Sequence, residues 1–420
     1  MASKADTGAV PGRTPEDRGA LLALSMAMLL ASLGTSIANV ALPALGTAFG
    51  APLDQLQWVV LSYLAAVTGG VLFAGRLGDE LGRRTLLLAG LALFFASSLL
   101  CAAAPALWGL VAARAGQGLG AAAMMALAMA LAVEAPGKSG RALGLLGAMS
   151  AAGTALGPAL GGVLIALAGW RALFLLCACG GGAALVLVLR YVPGREGAVA
   201  ARGGFRAMFA LARDPLLARS LAALPLGAAV VMAALVVGPF YLAYGLEQNA
   251  ARVGLLLSIG PVVAALAGVP AGRLADRFGA RRVTVAGLLL MAGGSAGLGL
   301  FPLSFGVAGY AAPIAVTTFG YALFQTGNNG LVLRRAPGGQ RGLVSGLLTL
   351  LRNAGLIAGA SAGAYVFAFM LGSTAPAVAA PGTVAAAARA AFGASALLPL
   401  LALAVIGIGG WMPDEDSNLD

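Results

Sequence analysis

Histidine is absent from the 420 residues, and cysteine is confined to Cys101, Cys177 and Cys179. Without imidazole, the usual zinc ligand sets, general bases and nucleophile–base dyads lack their commonest member. The three thiols lie in apolar stretches, two of them as Cys177-Ala178-Cys179 with no second pair. A disulfide framework or a metal site is therefore not expected, and the thiols read as small packing residues. No cofactor and no metal is anticipated. Charge is scarce too, at 10% of residues against 60% hydrophobic, where soluble domains carry roughly 25% charged residues. That balance excludes a water-soluble globule. Carboxylates are the scarcer sign, 15 against 26 lysines and arginines, and all of them fall outside the long uncharged runs or at their edges.

Those uncharged runs are what the chain is made of. A helix needs about 20 apolar residues to cross the hydrocarbon core. Spaced on that basis, the runs predict twelve spans near 20–47, 56–75, 85–103, 107–132, 142–168, 172–190, 220–244, 252–272, 283–301, 308–333, 342–372 and 390–411. The run 283–333 holds two of them, with a turn near Phe301-Pro302-Leu303-Ser304, and only Arg352 interrupts the eleventh. The expected fold class is an all-α polytopic membrane protein. Many of the 63 glycines lie inside these spans, as close helix–helix approach in lipid requires. Met1–Arg18 is polar, carries Pro11, Pro15, Glu16 and Asp17, and precedes an overlong apolar run, so no cleavable leader is expected.

The chain also repeats itself. Gly75-Arg76-Leu77-Gly78-Asp79-Glu80-Leu81-Gly82-Arg83-Arg84 returns 197 positions later as Gly272-Arg273-Leu274-Ala275-Asp276-Arg277-Phe278-Gly279-Ala280-Arg281. Gly153, Gly157 and Gly161 return as Gly355, Gly359 and Gly363 at an offset of 202, each trio lining one helical face. Duplication predicts two pseudo-symmetric six-helix bundles. The expected division is an N-terminal half at 1–191, a linker at 192–215, a C-terminal half at 216–411 and an acidic tail at 412–420.

A net charge of +11 raises the question of nucleic acid, and its placement answers it. With the N-terminus inside, 21 of the 26 basic residues fall on the cytoplasmic side. Arg171, Arg252 and Arg389 are the outside exceptions, and Arg114 and Arg352 sit within spans. The positive-inside rule then gives both termini to the cytoplasm, with membrane lipid and not nucleic acid facing the basic loops, and the inner membrane is the expected location. Trp58, Trp108 and Trp170 fall at expected outer boundaries and Trp411 at an inner one, as in an aromatic belt.

Twelve spans in two halves, with Gly-x-Leu-x-Asp-x2-Gly-x-Arg after the second, resemble the major facilitator superfamily over the whole chain. Gly75, Asp79, Gly82, Arg83 and Arg84, with Gly272, Asp276 and Arg281, resemble the family's paired gating motif. Arg114-x2-Gln117-Gly118 in span four resembles the basic motif of proton-coupled members. Gly153-x3-Gly157-Pro158-x2-Gly161-Gly162 in span five resembles the motif of exporters that exchange substrate for protons. Ala38-Asn39-Val40-Ala41-Leu42-Pro43 and Trp170-Arg171 are similar to drug:proton antiporters. The resemblance implies alternating access and a small-molecule substrate, with protons as the coupling ion and a monomeric protein.

The residues carry their own argument. A charge near the bilayer centre costs about 2.5–3.5 kcal/mol on insertion scales, so embedded arginines need a reason. Asn39, Arg114, Gln117, Gln325, Asn328, Asn329, Arg352 and Asn353 are expected to line a polar chamber. For Arg114, a second reading is that it bonds backbone carbonyls of a neighbouring span. The same structural reading stands for Asn328 and Asn329. Arg114 is expected to be needed for transport and not for folding. Asp79 is expected to approach a helix N-terminus or Arg83 and Arg84, and Pro158 to let span five bend. Span one reads Leu33-Gly34-Thr35-Ser36 where related antiporters often carry an aspartate. A chamber with arginine and no carboxylate favours neutral or anionic solutes over lipophilic cations. The proton site is then open, with Glu134, Asp79, Asp276 or the substrate itself as carrier. The expected function is secondary active export of a small neutral or anionic solute, an antibiotic or siderophore-like metabolite, with uptake as the alternative. A membrane enzyme or receptor is the remote alternative, and no Walker sequence is present for drive by ATP.

Overall fold

The computed structural model describes residues 15–133, 139–193, 215–301, 305–335, 341–372 and 376–407. Among these every element is helical, with no strand. Nearly all of the linker, the tail, Trp411 and Glu134 lie outside the described residues, and of Asp79 only the backbone is described.

Twelve long rods succeed one another, numbered here in chain order. In the first half they are α1 (Pro15–Phe49), α2 (Trp58–Leu81), α3 (Arg83–Ala103), α4 (Leu107–Val133), α5 (Ser139–Ala168) and α6 (Arg171–Tyr191). In the second they are α7 (Pro215–Phe240), α8 (Ala250–Phe278), α9 (Ala280–Leu300), α10 (Ala308–Arg335), α11 (Arg341–Leu371) and α12 (Pro381–Gly407). A π-helical turn at Tyr241–Gly245 extends α7. Ten of the rods are long and apolar enough to cross a membrane. The two others, α2 and α10, have the length, at 24 and 28 residues. Polar side chains dilute α10: Thr317, Thr318, Gln325, Thr326, Asn328 and Asn329 all belong to it.

Three boundaries differ from the sequence reading. The motif at 75–84 is not a loop: α2 runs through Leu81, and the reversal into α3 is made by Gly82 alone. Its repeat behaves alike, with α8 running to Phe278 and Gly279 making the turn. Both glycines hold positive φ, +88° and +85°, a conformation that costs a residue with a Cβ. The twelfth rod begins at Pro381 rather than near 390, because an alanine-rich stretch with a proline at its first turn is a good helix start even without strong hydropathy. Arg389 is thereby inside a rod. It donates from Nε to the carbonyl of Gly299 at 2.9 Å and from Nη2 to that of Leu300 at 3.0 Å, capping the end of α9.

The duplication is legible in the backbone. Gly50 (φ +60°) matches Glu247 (φ +53°), Gly82 matches Gly279, and Gly169 (φ +77°) matches Gly372 (φ +69°). The packing pairs match as well: α1 lies on α5 as α7 lies on α11, and α3 on α4 as α9 on α10. Lipid offers no hydrophobic drive between helices, so contact depends on close approach. Gly153 faces the backbone of Leu29 and Leu33, Gly157 faces Ser36 and Ile37, and Gly161 faces Val40. In the repeat, Gly355, Gly359 and Gly363 face Pro225, Ala229 and Ala233 of α7. A methyl group at any of these six positions would meet an atom of the facing helix at under 3.0 Å.

The halves join at the end where α1 and α5 finish. A Cβ on Gly162 would meet the Ala250 carbonyl at 2.5 Å and the Gly254 Cα at 2.8 Å, so α5 and α8 touch there backbone to backbone. Beside this seal, the Tyr244 hydroxyl donates to the carbonyl of Pro43 at 3.2 Å and lies 3.2 Å from the Thr47 hydroxyl. Trp58 and Trp108 are exposed at this same end, whereas Trp170 is buried against Phe49 and Phe174 and so belongs to the core rather than to a belt.

Candidate functional site

In the N-terminal half, helix α4 carries Arg114 seven residues after its start, deep among α1, α2 and α3. Its guanidinium is 1% exposed. Nε donates to the Val59 carbonyl at 3.0 Å, Nη2 to the Gly34 carbonyl at 3.0 Å and Nη1 to Gln117 Oε1 at 2.5 Å. The cation lies 4.1 Å from the centroid of the Tyr63 ring, a favourable cation–π placement. Tyr63 donates to the Ala31 carbonyl at 2.7 Å, and Gln117 Nε2 to Ser98 Oγ at 2.7 Å. Ser98 in turn donates to the Phe94 carbonyl at 2.6 Å. One arginine thus ties four rods together through carbonyls, a ring and two polar side chains.

This corrects the expectation that Arg114 and Gln117 line an open chamber. Both are closed inside the bundle, and backbone carbonyls with their second lone pairs free supply the acceptors that a cation in lipid needs. Asn39 is also buried. Its amide donates back to the carbonyls of Thr35 and Ser36 at 3.4 and 3.2 Å, leaving Oδ1 without a partner. Asn328 is 0% exposed and donates to the Ser220 carbonyl at 3.1 Å, which makes it a link between α10 and α7 rather than a chamber wall.

The C-terminal half keeps its polar groups more open. Gln325, Asn329 and Arg352 are each half-buried, and Asn353 is buried beside Arg352. Arg352 Nη2 reaches Asn353 Oδ1 only at 3.5 Å, and its Nε has no partner. Gln325 Nε2 lies 3.5 Å from the Tyr321 hydroxyl one turn earlier on α10, and Arg352 is the charged neighbour of that tyrosine. The buried Oδ1 of Asn329 is unpartnered too. Of the eight expected chamber residues, the structure leaves Gln325, Asn329 and Arg352 partly accessible.

The stretch that resembles a gating motif is placed at the ends of α2 and α8. Arg84 donates from Nη2 to the Leu189 carbonyl at 3.0 Å, capping α6. Asp276 is exposed. Neither Gly75 nor Gly272 has anything within 4 Å of an added Cβ, so packing does not demand glycine there. Helix α5 continues unbroken through Pro158, whose carbonyl faces Gly254. Sequence reasoning passed over Tyr63, Ser98, Tyr244, Gly254 and Tyr321. A helical wheel would have flagged Tyr321, four residues before Gln325, but only the fold brings Tyr63 to Arg114 or Gly254 to Gly162.

Two duplicated six-rod bundles that pack pairwise alike and meet at one end are the architecture of a polytopic membrane protein built from a repeat. The chain belongs to the Major Facilitator Superfamily, whose family pattern it matches over residues 24–360. It is 30% identical over 413 residues to the uncharacterized transporter YebQ of Escherichia coli K12, a match covering 85% of this chain and 90% of that one. It is 36% identical over 197 residues to the methylenomycin A resistance protein of Bacillus subtilis, covering 46% of this chain and 42% of that protein. In structure it is similar to a bacterial homolog of the human lysosomal transporter Spinster in an inward-facing, unoccupied conformation. There the TM-score is 0.78 at 15% identity, with 96% of this chain and 100% of that chain covered.

Proposed function

We propose that this protein is a secondary transporter that exports a small neutral or anionic organic solute in exchange for protons. The observation that carries the reading is the backbone seal of Gly162 on Gly254. It lies within the stretch that resembles the exporter motif, and it closes one end of a two-bundle molecule. A contact made of glycines separates without unpairing any side chain, which suits an interface that must open in each cycle. The likeness to a methylenomycin A resistance protein supports an antibiotic-like solute, with a siderophore-like metabolite as the second candidate. One chain supplies both bundles, so a monomer suffices.

Everted membrane vesicles test the direction. An imposed inward-acidic gradient should drive uptake of an exported solute into the vesicle lumen, and collapse of the gradient should stop it. Accumulation of the same solute by intact cells would instead establish an uptake permease. Orientation is tested alongside: cysteines placed near Arg202 and Gly279 should escape an impermeant thiol reagent in intact cells, and those near Pro52 and Ala377 should react. Glu134 is the acidic residue closest in sequence to the interior of a span, and a partly buried glutamate can exchange protons near neutral pH. Glu134→Gln should therefore abolish gradient-driven transport while sparing downhill counterflow. Unaltered driven transport would pass the role to Asp79, Asp276 or the substrate's own proton.

A further inference from the structure

Arg114 and Arg352 both sit well inside their rods, and of the two only Arg114 is satisfied. Arg114 has each guanidinium nitrogen bonded and a ring beneath its face. Arg352 sits eleven residues into α11, about 16 Å along the rod at 1.5 Å per residue. It has one weak contact, to its own neighbour Asn353, and a buried Nε–H with none. Among the described residues no ion pair reaches it. Among the described acidic side chains, Asp54 lies on the short helix Leu53–Leu56, Glu80 and Asp276 at the ends of α2 and α8, and Glu247 in the turn after α7. The repeat shows that the fold itself needs no charge here. The position matching Arg352 at the offset of 202 is Ser150, which pairs with Ser32 at 2.6 Å. Tyr321 has Arg352 as its charged neighbour and Gln325 as its polar one, on a rod that packs against α11, and both the phenol and the amide can donate to an oxygen.

We propose that Arg352, with Gln325 and Tyr321, receives a carboxylate group of the transported solute, so that the anionic end of the substrate docks on the C-terminal half. This rests on the transport reading and narrows it from neutral-or-anionic to carboxylate-bearing solutes. The Nε–H of this guanidinium is unpartnered and its Nη2 is held only weakly by Asn353, and that edge carries the parallel donors that a carboxylate accepts in a two-pronged fashion. The amide and phenol supply donors to the remaining lone pairs. A lipophilic cation finds no counter-charge here among the described residues.

The test uses the purified full-length protein and a panel of amphipathic carboxylates, each paired with its own methyl ester, 1-pyrenebutyrate among them. Dissociation constants are read by fluorescence or thermal shift. The acids should bind about tenfold tighter than their esters, as expected where one charge-assisted hydrogen bond is gained. Arg352→Gln should erase that preference, and Arg352→Lys should keep part of it, because the charge survives and the fork does not. Gln325→Ala should weaken acid binding more than ester binding, because a carboxylate takes the stronger hydrogen bond from the amide, which decides the matter should Arg352→Gln fail to fold. Esters that bind as well as acids across the panel, an acid preference that survives in Arg352→Gln, or a panel in which nothing binds would each overturn the proposal. Vesicles separate the two levels. Ester counterflow with no acid preference in the wild type removes the carboxylate site and leaves transport standing. Wild-type vesicles that move neither form remove transport itself.

Discussion

The two bundles share a backbone plan and use their polar interiors in opposite ways. In the first, Arg114, Gln117, Ser98 and Tyr63 are bonded to one another and to carbonyls of neighbouring rods. In the second, the place of Arg114 at the α4-to-α10 offset of 200, fixed by Gly120 and Gly320, is taken by buried Ile314, and Gln117 becomes Thr317. The second bundle has its own arginine one rod further on, at Arg352, where the first has Ser150. The duplicated framework therefore tolerates an arginine at either place and requires one at neither. What each arginine does depends on the acceptors around it, which are complete in one bundle and lacking in the other.

That contrast is breakable by substitution. The largest effect is expected from Arg114→Ala, which leaves the Gly34 and Val59 carbonyls and Gln117 short of a donor and removes the cation above Tyr63. Hydrogen bonds to charged groups are worth about 1.5–3 kcal/mol each, so the variant should lose about 3 kcal/mol or more of stability. Thermal unfolding in detergent and the yield of folded protein would show it. The structure thus revises the expectation that Arg114 matters for transport and not for folding; a well-folded, inactive Arg114→Ala would restore it. Next in size is Ile314→Arg, which places a guanidinium where the second bundle offers no Gln117 equivalent. A cost of about 2.5–3.5 kcal/mol is expected from an unsatisfied charge at that depth, and a neutral effect on melting would show that the carbonyl acceptors alone are enough. Arg352→Gln should change stability least, by about 1 kcal/mol or less, as for a side chain that gives up no well-formed contact. A large loss of melting temperature there would mean that Arg352 is structural like Arg114.

A third comparison sharpens the picture at the seal. Gly162 has Ala364 as its counterpart at the offset of 202, so the backbone contact with Gly254 belongs to one side of the interface only. Gly162→Leu should hold the halves apart at that end without unfolding either bundle. A cysteine at Thr47 should then react faster with a thiol reagent applied from that side. Unchanged reactivity would mean that the clasp of Tyr244 on Pro43 closes the end unaided.

Much of this was readable before any coordinates. The twelve-rod order, the 197-residue repeat, the two glycine trios and the special status of Arg114 and Arg352 all follow from spacing and from the cost of charge in lipid. The depth of the gating motif did not follow, because charged residues at a helix end look like a loop when hydropathy alone sets the boundary; α2 keeps its backbone bonded to Leu81 regardless of side chains. Nor did the fate of Arg114. Whether an embedded guanidinium faces a chamber or a set of carbonyls depends on which neighbour lies across from it, and Val59 and Gly34 are 55 and 80 residues away. For Asn328 the sequence left both readings open for the same reason, its partner Ser220 being 108 residues distant.

The seal at Gly162 and Gly254 has one more implication. Because it is built from main chain, it contributes no side chain that a cargo could touch, and no cargo can select for or against it. Specificity is then free to drift at Arg352, Gln325 and Tyr321 while the closing machinery stays as it is. A lineage holding such a seal can change what it carries by altering a handful of positions in one bundle, with no need to reinvent the way it opens and shuts.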